Sequence, residues 1–172
     1  MNFFTEIHKD IKAHFINAKN PIALTKAIFF NTSIQLLINY RLAKRSARIP
    51  VIGGTITHII CYLSQVLTSC HISHRAHIEP GVYFPHPTGI VIGEGVIIKS
   101  NVTIYQNVTF GRKDKYSQKY PIINSGATIY CGSVITGAIE IGENCTIAAN
   151  SVVLKTTPND SIVGGIPAKQ LS

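Results

Sequence analysis

Acidic residues are scarce in this chain: 8 Asp and Glu stand against 16 Lys and Arg in 172 residues, a formal net charge of +8. A balance of that sign favours anionic partners such as a phosphorylated cofactor, an acidic saccharide, a membrane surface or nucleic acid. Nucleic acid drops out, because no basic run is interleaved with aromatics and no helix-turn-helix or finger spacing is present. Cysteine is sparse as well. Cys61, Cys70, Cys131 and Cys145 form no CxxC and no zinc-knuckle spacing, so they read as buried free thiols of a reducing cytosol. There is no G-x-S-x-G and no phosphate loop, which removes the nucleophile-elbow and P-loop readings. The first residues carry Glu6 and Asp10 and no A-x-A site, unlike a signal peptide. The most apolar run, 51–69, sits at the lower length limit for a membrane span and contains Gly53-Gly54, His58, Ser64 and Gln65. It reads as a helix buried against other helices. With Arg41, Lys44, Arg45 and Arg48 just before it, a peripheral membrane contact stays open beside a cytoplasmic location.

What the chain has in abundance is a count of six. Ile123, Ile129, Ile135, Ile141, Ile147 and Val153 stand six apart, as do Ile92, Ile98, Ile104 and Phe110, and Ile72, Ile78 and Phe84. Four residues after most of them comes a small or β-branched side chain: Ala76, Val82, Thr88, Val96, Val102, Val108, Ala127, Ser133, Cys145, Ser151. A helix repeats at 3.6 and a flat strand at 2, so neither explains this spacing. One short strand and one bend every six residues does, which predicts a parallel β-helix.

The expected organisation is a helical region over 1–69 and a β-helix over 70–172. Phe4, Ile7, Ile11 and Phe15 share one helical face. Asn20-Pro21 reads as an N-cap and first-turn proline opening a helix to about Arg48. In the repeat region the count fails twice, by two residues between Phe84 and Ile92 and by seven between Phe110 and Ile123. Insertions into a solenoid map to loops, and chemistry is expected at the interruptions rather than in the scaffold. The first holds Pro85-His86-Pro87, a titratable imidazole between two prolines that restrict its backbone. The second is the polar loop within 111–122. His71, His74 and His77 offer three imidazoles for zinc, but on six-residue strands they need not converge, and no metal is expected.

Three stretches carry a resemblance: His-Pro-Thr-Gly-Ile-Val-Ile-Gly-Glu (86–94), Ile-Tyr-Gln-Asn-Val-Thr-Phe-Gly (104–111), and 150–169 with Asn-Ser-Val-Val-Leu-Lys and Val-Gly-Gly-Ile-Pro-Ala-Lys. They resemble the serine acetyltransferase group of hexapeptide acyltransferases, which includes short relatives acting on polysaccharides. The resemblance implies a mainly β protein, a left-handed parallel β-helix with an N-terminal α-helical cap. It also implies a homotrimer, joined through the cap as a dimer of trimers, with acetyl-CoA between neighbouring prisms. His86 matches the catalytic general base, with His71 at the place of its orienting partner. The resemblance sets Gly111, Cys131, Ala149, Lys155 and Lys169 on the acetyl-CoA side, and Asn20, Lys119 and Tyr120 on the acceptor side. Several residues depart from the group's pattern. Asn20, Pro85 and His71 stand where the group carries aspartates, and Lys119-Tyr120 replaces Arg-His. Lysine clamps a carboxylate less well than arginine. The expectation is therefore acetyl transfer to a hydroxyl of a saccharide (capsule, lipopolysaccharide or exopolysaccharide), with serine O-acetylation in cysteine biosynthesis as the alternative.

Overall fold

The computed structural model describes residues 2–14 and 29–171. Three described helices precede the repeats: α1 (Phe3–His14), α2 (Thr32–Ser46) and α3 (Gly53–Thr68). The start expected at Asn20-Pro21, and Phe15, lie outside the described residues. The described part of the second helix begins anew at Asn31, whose side chain accepts from the Ile34 N–H as an N-cap.

From His71 the chain forms two- to four-residue strands, β1 (His71–Ile72) to β14 (Ala168–Gln170). They stack into three sheets: β1, β3 (Val91–Ile92), β6 (Thr109–Gly111), β9 (Val134–Thr136) and β12 (Val152–Val153) form the first, β2 (His77–Ile78), β4 (Ile97–Ile98), β7 (Ile122–Ile123) and β10 (Glu140–Ile141) the second, and β5 (Thr103–Ile104), β8 (Thr128–Ile129), β11 (Thr146–Ile147), β13 (Ile162–Gly165) and β14 the third. All pairings are parallel save the closing β13–β14 hairpin. Each turn of the coil thus lays one strand on each of three faces, and β3 (Val91–Ile92) meets β6 (Thr109–Gly111) with Ile92 opposite Phe110. The residues of the ladder point inward: Ile92, Ile98, Ile104, Phe110, Ile123, Ile129, Ile135, Ile141 and Ile147 are fully buried. The small residues four positions on fill the corners, with one exception. Thr88 is exposed and Ile90 is buried in its place, because the two extra residues shift the inward register before β3.

The corners need left-handed backbone, and the sequence supplies Asn or Gly there. They alternate vertically: Gly89 (φ +66°) lies under Asn107 (φ 58°), whose Oδ1 would be 2.2 Å from a Cβ at Gly89. Gly132 and Asn150 repeat the device at the same corner two coils further on, and Gly126 and Asn144 repeat it at the corner between the second and third sheets.

The cap is fastened to the first coil by polar groups. Arg41 on α2 grips Asp10 on α1 through Nε–Oδ2 (2.7 Å) and Nη2–Oδ1 (3.1 Å), and donates to the Ile78 carbonyl. Asp10 Oδ1 also accepts the Gly81 N–H. Tyr40 Oη donates to the Ala76 carbonyl and accepts from the Ile78 N–H, and Ser33 donates to the Phe84 carbonyl. α3 differs from the expectation of a helix buried against others. It buries only Gly53, Thr57 and Thr68, while Ile59, Tyr62, Leu63, Val66 and Leu67 are at least half exposed. Among the described residues no helix is long and apolar enough to cross a membrane.

Candidate active site

The two breaks in the repeat leave the prism at different corners. His86 sits where the third sheet turns into the first, between the Tyr83 bridge to Thr103 and β3. The polar loop leaves where the first sheet turns into the second, between β6 and β7 (Ile122–Ile123). Within one chain they do not face one another.

At the His86 corner the backbone is fixed by the Thr88 N–H donating to the His86 carbonyl and by Asn107 N–H donating to Thr88. Pro87 is buried while His86 is exposed, so the turn presents the imidazole outward. Its ring lies 6.4 Å from that of Tyr105, which in turn stacks on Tyr130 at 5.0 Å and 17°. These three rings come from successive coils at the same corner, and they form an aromatic ladder beside the imidazole. Among the described residues no side chain hydrogen-bonds the His86 ring. His71, set by the resemblance as its orienting partner, is paired in β1 with Val91 and its Nδ1 lies 3.3 Å from Gln65 Oε1 instead.

Cys131 (half-buried) and Ala149 (exposed) fall on this same corner, in the turns after β8 and β11. The Asn150 N–H donates to the Cys131 carbonyl, so the two turns are stacked. Gln106, one residue after Tyr105, lies below them, its carbonyl accepting the Gly132 N–H, and its buried Oε1 has no partner. Gly111 and Lys155 are at the other corner. Gly111 ends β6, where an added Cβ would meet nothing within 4 Å, so its backbone can be approached closely. Lys155 is exposed after β12, and Lys169 is exposed on β14 at the third sheet's edge. The protein thus gathers His86, Cys131 and Ala149 at one corner and keeps Gly111, Lys119 and Lys155 at another within one chain, while Lys169 pairs with Gly164, which packs on Ala148 beside the first corner.

Lys119 is exposed at the end of the loop. Tyr120 does not project with it. Its ring lies flat on Gly93 and Gly95 and its hydroxyl donates to Glu94 Oε1 at 3.2 Å. Asn20 lies outside the described residues. His71 and His77 belong to the first and second sheets and His74 to the turn between, and no three His, Cys, Asp or Glu among the described residues converge on a metal-sized space. Tyr105 and Tyr130 are the residues that sequence reasoning missed. The signal was available: they are one coil apart once the seven-residue insertion is counted, as Ile104 opposite Ile129 shows.

A three-sided parallel coil built on a count of six defines the class, a hexapeptide-repeat transferase. A family model described as bacterial transferase hexapeptide (six repeats) matches residues 120–155. Serine acetyltransferase of Mycobacterium tuberculosis is 31% identical over 172 residues, covering 96% of this chain and 72% of that one. Serine acetyltransferase of Synechococcus elongatus is 38% identical over 138 residues, covering 78% of this chain and 55% of that one. The crystal structure of serine acetyltransferase from Brucella abortus in complex with coenzyme A superposes with a TM-score of 0.88 at 27% identity, over 99% of this chain and 68% of that one. The chain belongs to the serine acetyltransferase family, and its coil is the left-handed parallel β-helix that the resemblance implied. It spans 55% of the length of the Synechococcus relative and 72% of that from Mycobacterium tuberculosis.

These relatives overturn the saccharide acceptor. That expectation rested on Asn20, Pro85 and Lys119-Tyr120, yet proteins alike over most of this chain are serine acetyltransferases. The physical reason is visible at Tyr120. Its side chain is committed to the Gly93–Gly95 shelf of its own prism, so its identity reports how the loop is anchored rather than what the acceptor is.

Proposed function

We propose that this protein is an acetyl-CoA-dependent serine O-acetyltransferase, supplying the activated serine of cysteine biosynthesis. The observation that supports it is the coincidence of an outward-facing histidine at a repeat break with family likeness along the whole chain. His86 acts as general base. It takes the proton of the serine hydroxyl as that oxygen bonds to the thioester carbonyl carbon. The C–S bond then breaks, and the imidazolium returns its proton to the coenzyme A thiolate, leaving O-acetylserine. A positioned base of this kind contributes roughly 10²–10⁴ in rate.

Acetyl-CoA runs along the corner of Cys131 and Ala149, where small side chains leave room for the pantetheine arm. Lys155 and Lys169 serve its phosphates. Because the loop corner and the His86 corner are separated within one chain, the working unit is a homotrimer in which the loop of one copy, with Lys119, closes on the His86 corner of the next. Backbone N–H groups near Gly111 then face the developing oxyanion from the neighbouring copy.

The test is thiol release from acetyl-CoA in the presence of L-serine, with O-acetylserine identified by NMR. Wild-type turnover that falls about 10²-fold or more in His86→Ala, with the fold unchanged by circular dichroism, is the expected result. Full activity in His86→Ala, or no turnover of serine by the wild type, would refute the reading.

A further inference from the structure

A cavity of about 570 Å³ lies well away from the His86 corner, between α1, the last turns of α2 and the first strands of the second sheet. Its wall carries Lys9, Arg41, Lys44, Arg45, Arg48 and His77. Its two acids are already engaged. Glu6 pairs with Arg45 at 2.8 Å, and Glu79 pairs with Lys99 at 3.3 Å and accepts the Ser100 N–H. Arg41 is neutralised from behind by Asp10. Among the described residues Lys9, Lys44 and Arg48 have no carboxylate partner.

One of these three is held rather than loose. Lys44 Nζ donates to the Ala76 carbonyl (2.7 Å) and to Tyr40 Oη (3.1 Å), which fixes its charge at the cavity wall. Burial, and then the charges of Arg41 and Arg48, push its ammonium below the usual lysine value. His77 is pushed down in the same way, by burial and then by Lys44. The fold therefore holds like charges around an open space at a cost in self-repulsion that an anion would relieve. A second, shallower hollow continues past Lys9 to Lys12.

We infer that this cleft binds a multiply charged phosphate group, a diphosphate in size, held by Lys9, Lys44 and Arg48. Lysine supplies point charges and arginine a fork matched to phosphate oxygens. The same chemistry is offered by a soluble phosphate and by an anionic phosphate headgroup at a membrane surface. The site is independent of acetyl transfer: it lies on the second sheet and the cap.

The experiment is calorimetric titration of the wild type with inorganic pyrophosphate at low ionic strength, in saturating coenzyme A so that the phosphate partners proposed at Lys155 and Lys169 are already occupied. It is repeated on the pair Lys9→Gln/Arg48→Gln, two exposed side chains whose loss removes no internal hydrogen bond given above. A control pair, Lys113→Gln/Lys115→Gln, makes the same change of charge in the exposed loop. One-site binding is expected, weakened about tenfold or more in the first pair and left within about twofold in the control, as charge-assisted hydrogen bonds require. A parallel arm measures sedimentation with phosphatidylcholine vesicles with and without phosphatidic acid. Dependence on Lys9 and Arg48 in the pyrophosphate arm assigns a soluble ligand, and dependence in the vesicle arm alone assigns a headgroup. Equal weakening in both pairs, or no saturable binding in either arm, overturns the site.

Discussion

The Asp10 carboxylate and the Arg41 guanidinium meet in a two-pronged ion pair, 2.7 and 3.1 Å long, with side-chain exposures of 1% and 3%. It joins α1 to α2, and through Gly81 N–H and the Ile78 carbonyl it joins both to the first coil. Deleting one partner leaves the other charge buried and bare. Asp10→Ala is expected to cost about 3–5 kcal/mol of unfolding free energy. An apolar replacement of both residues, Asp10→Leu with Arg41→Met, should cost less than either deletion, since a buried pair is weak evidence of net stability. Urea denaturation of the single and double variants checks this. A double variant as unstable as the sum of the singles would contradict it.

His14 makes cap stability depend on pH. Its Nε2 accepts the Phe84 N–H at 3.3 Å and its Nδ1–H donates to the Asp10 carbonyl at 2.7 Å, so the structure uses the neutral ring. Burial pushes its pKa below the ordinary 6.5, against smaller upward effects of the Asp10 backbone and charge. The unfolded chain therefore takes up its proton first as pH falls. Stability from this group is complete above about 6.5 and is lost as pH drops from there towards the lower folded value. His74 and His77 are also shifted down by burial and act with the same sign. The slope of stability between pH 7.5 and 5.5 should flatten in His14→Gln without vanishing. An unchanged slope in denaturation curves at the two pH values would refute the assignment.

The interior of the coil was legible because a period of six is a local property: each ladder isoleucine and its corner residue lie within a few positions of each other. Register failed at Thr88, where the extra residues of the His86 turn hand the inward position to Ile90. Tyr105 and Tyr130 were hidden because their neighbourhood crosses the seven-residue insertion. The cationic cleft was hidden for a related reason. In the sequence the basic run at the end of α2 suits a peripheral membrane contact, and only the docking of α1 brings Lys9 to it. The acceptor is not legible from residue type at Tyr120, because direction decides and that side chain points back at its own prism.

That inward turn of Tyr120 is itself testable. A Cβ built on Gly95 would lie 2.2 Å from Tyr120 Cδ2, and one on Gly93 would lie 2.9 Å from Cε1, so the two glycines form the flat shelf on which the ring rests. Both have ordinary backbone angles, so the constraint is space rather than conformation. Gly95→Ala should destabilise by about 1–3 kcal/mol, or expel the ring and release the loop end. Tyr120→Ala removes the ring that creates the conflict. In that background the alanine at 95 should cost little, giving a coupling energy of about 1–3 kcal/mol in the double-mutant cycle. Thermal or urea unfolding of the four proteins measures it directly. If the two substitutions add independently, the ring does not rest on the shelf, and the loop would be free to offer Tyr120 to a neighbouring copy's His86 corner.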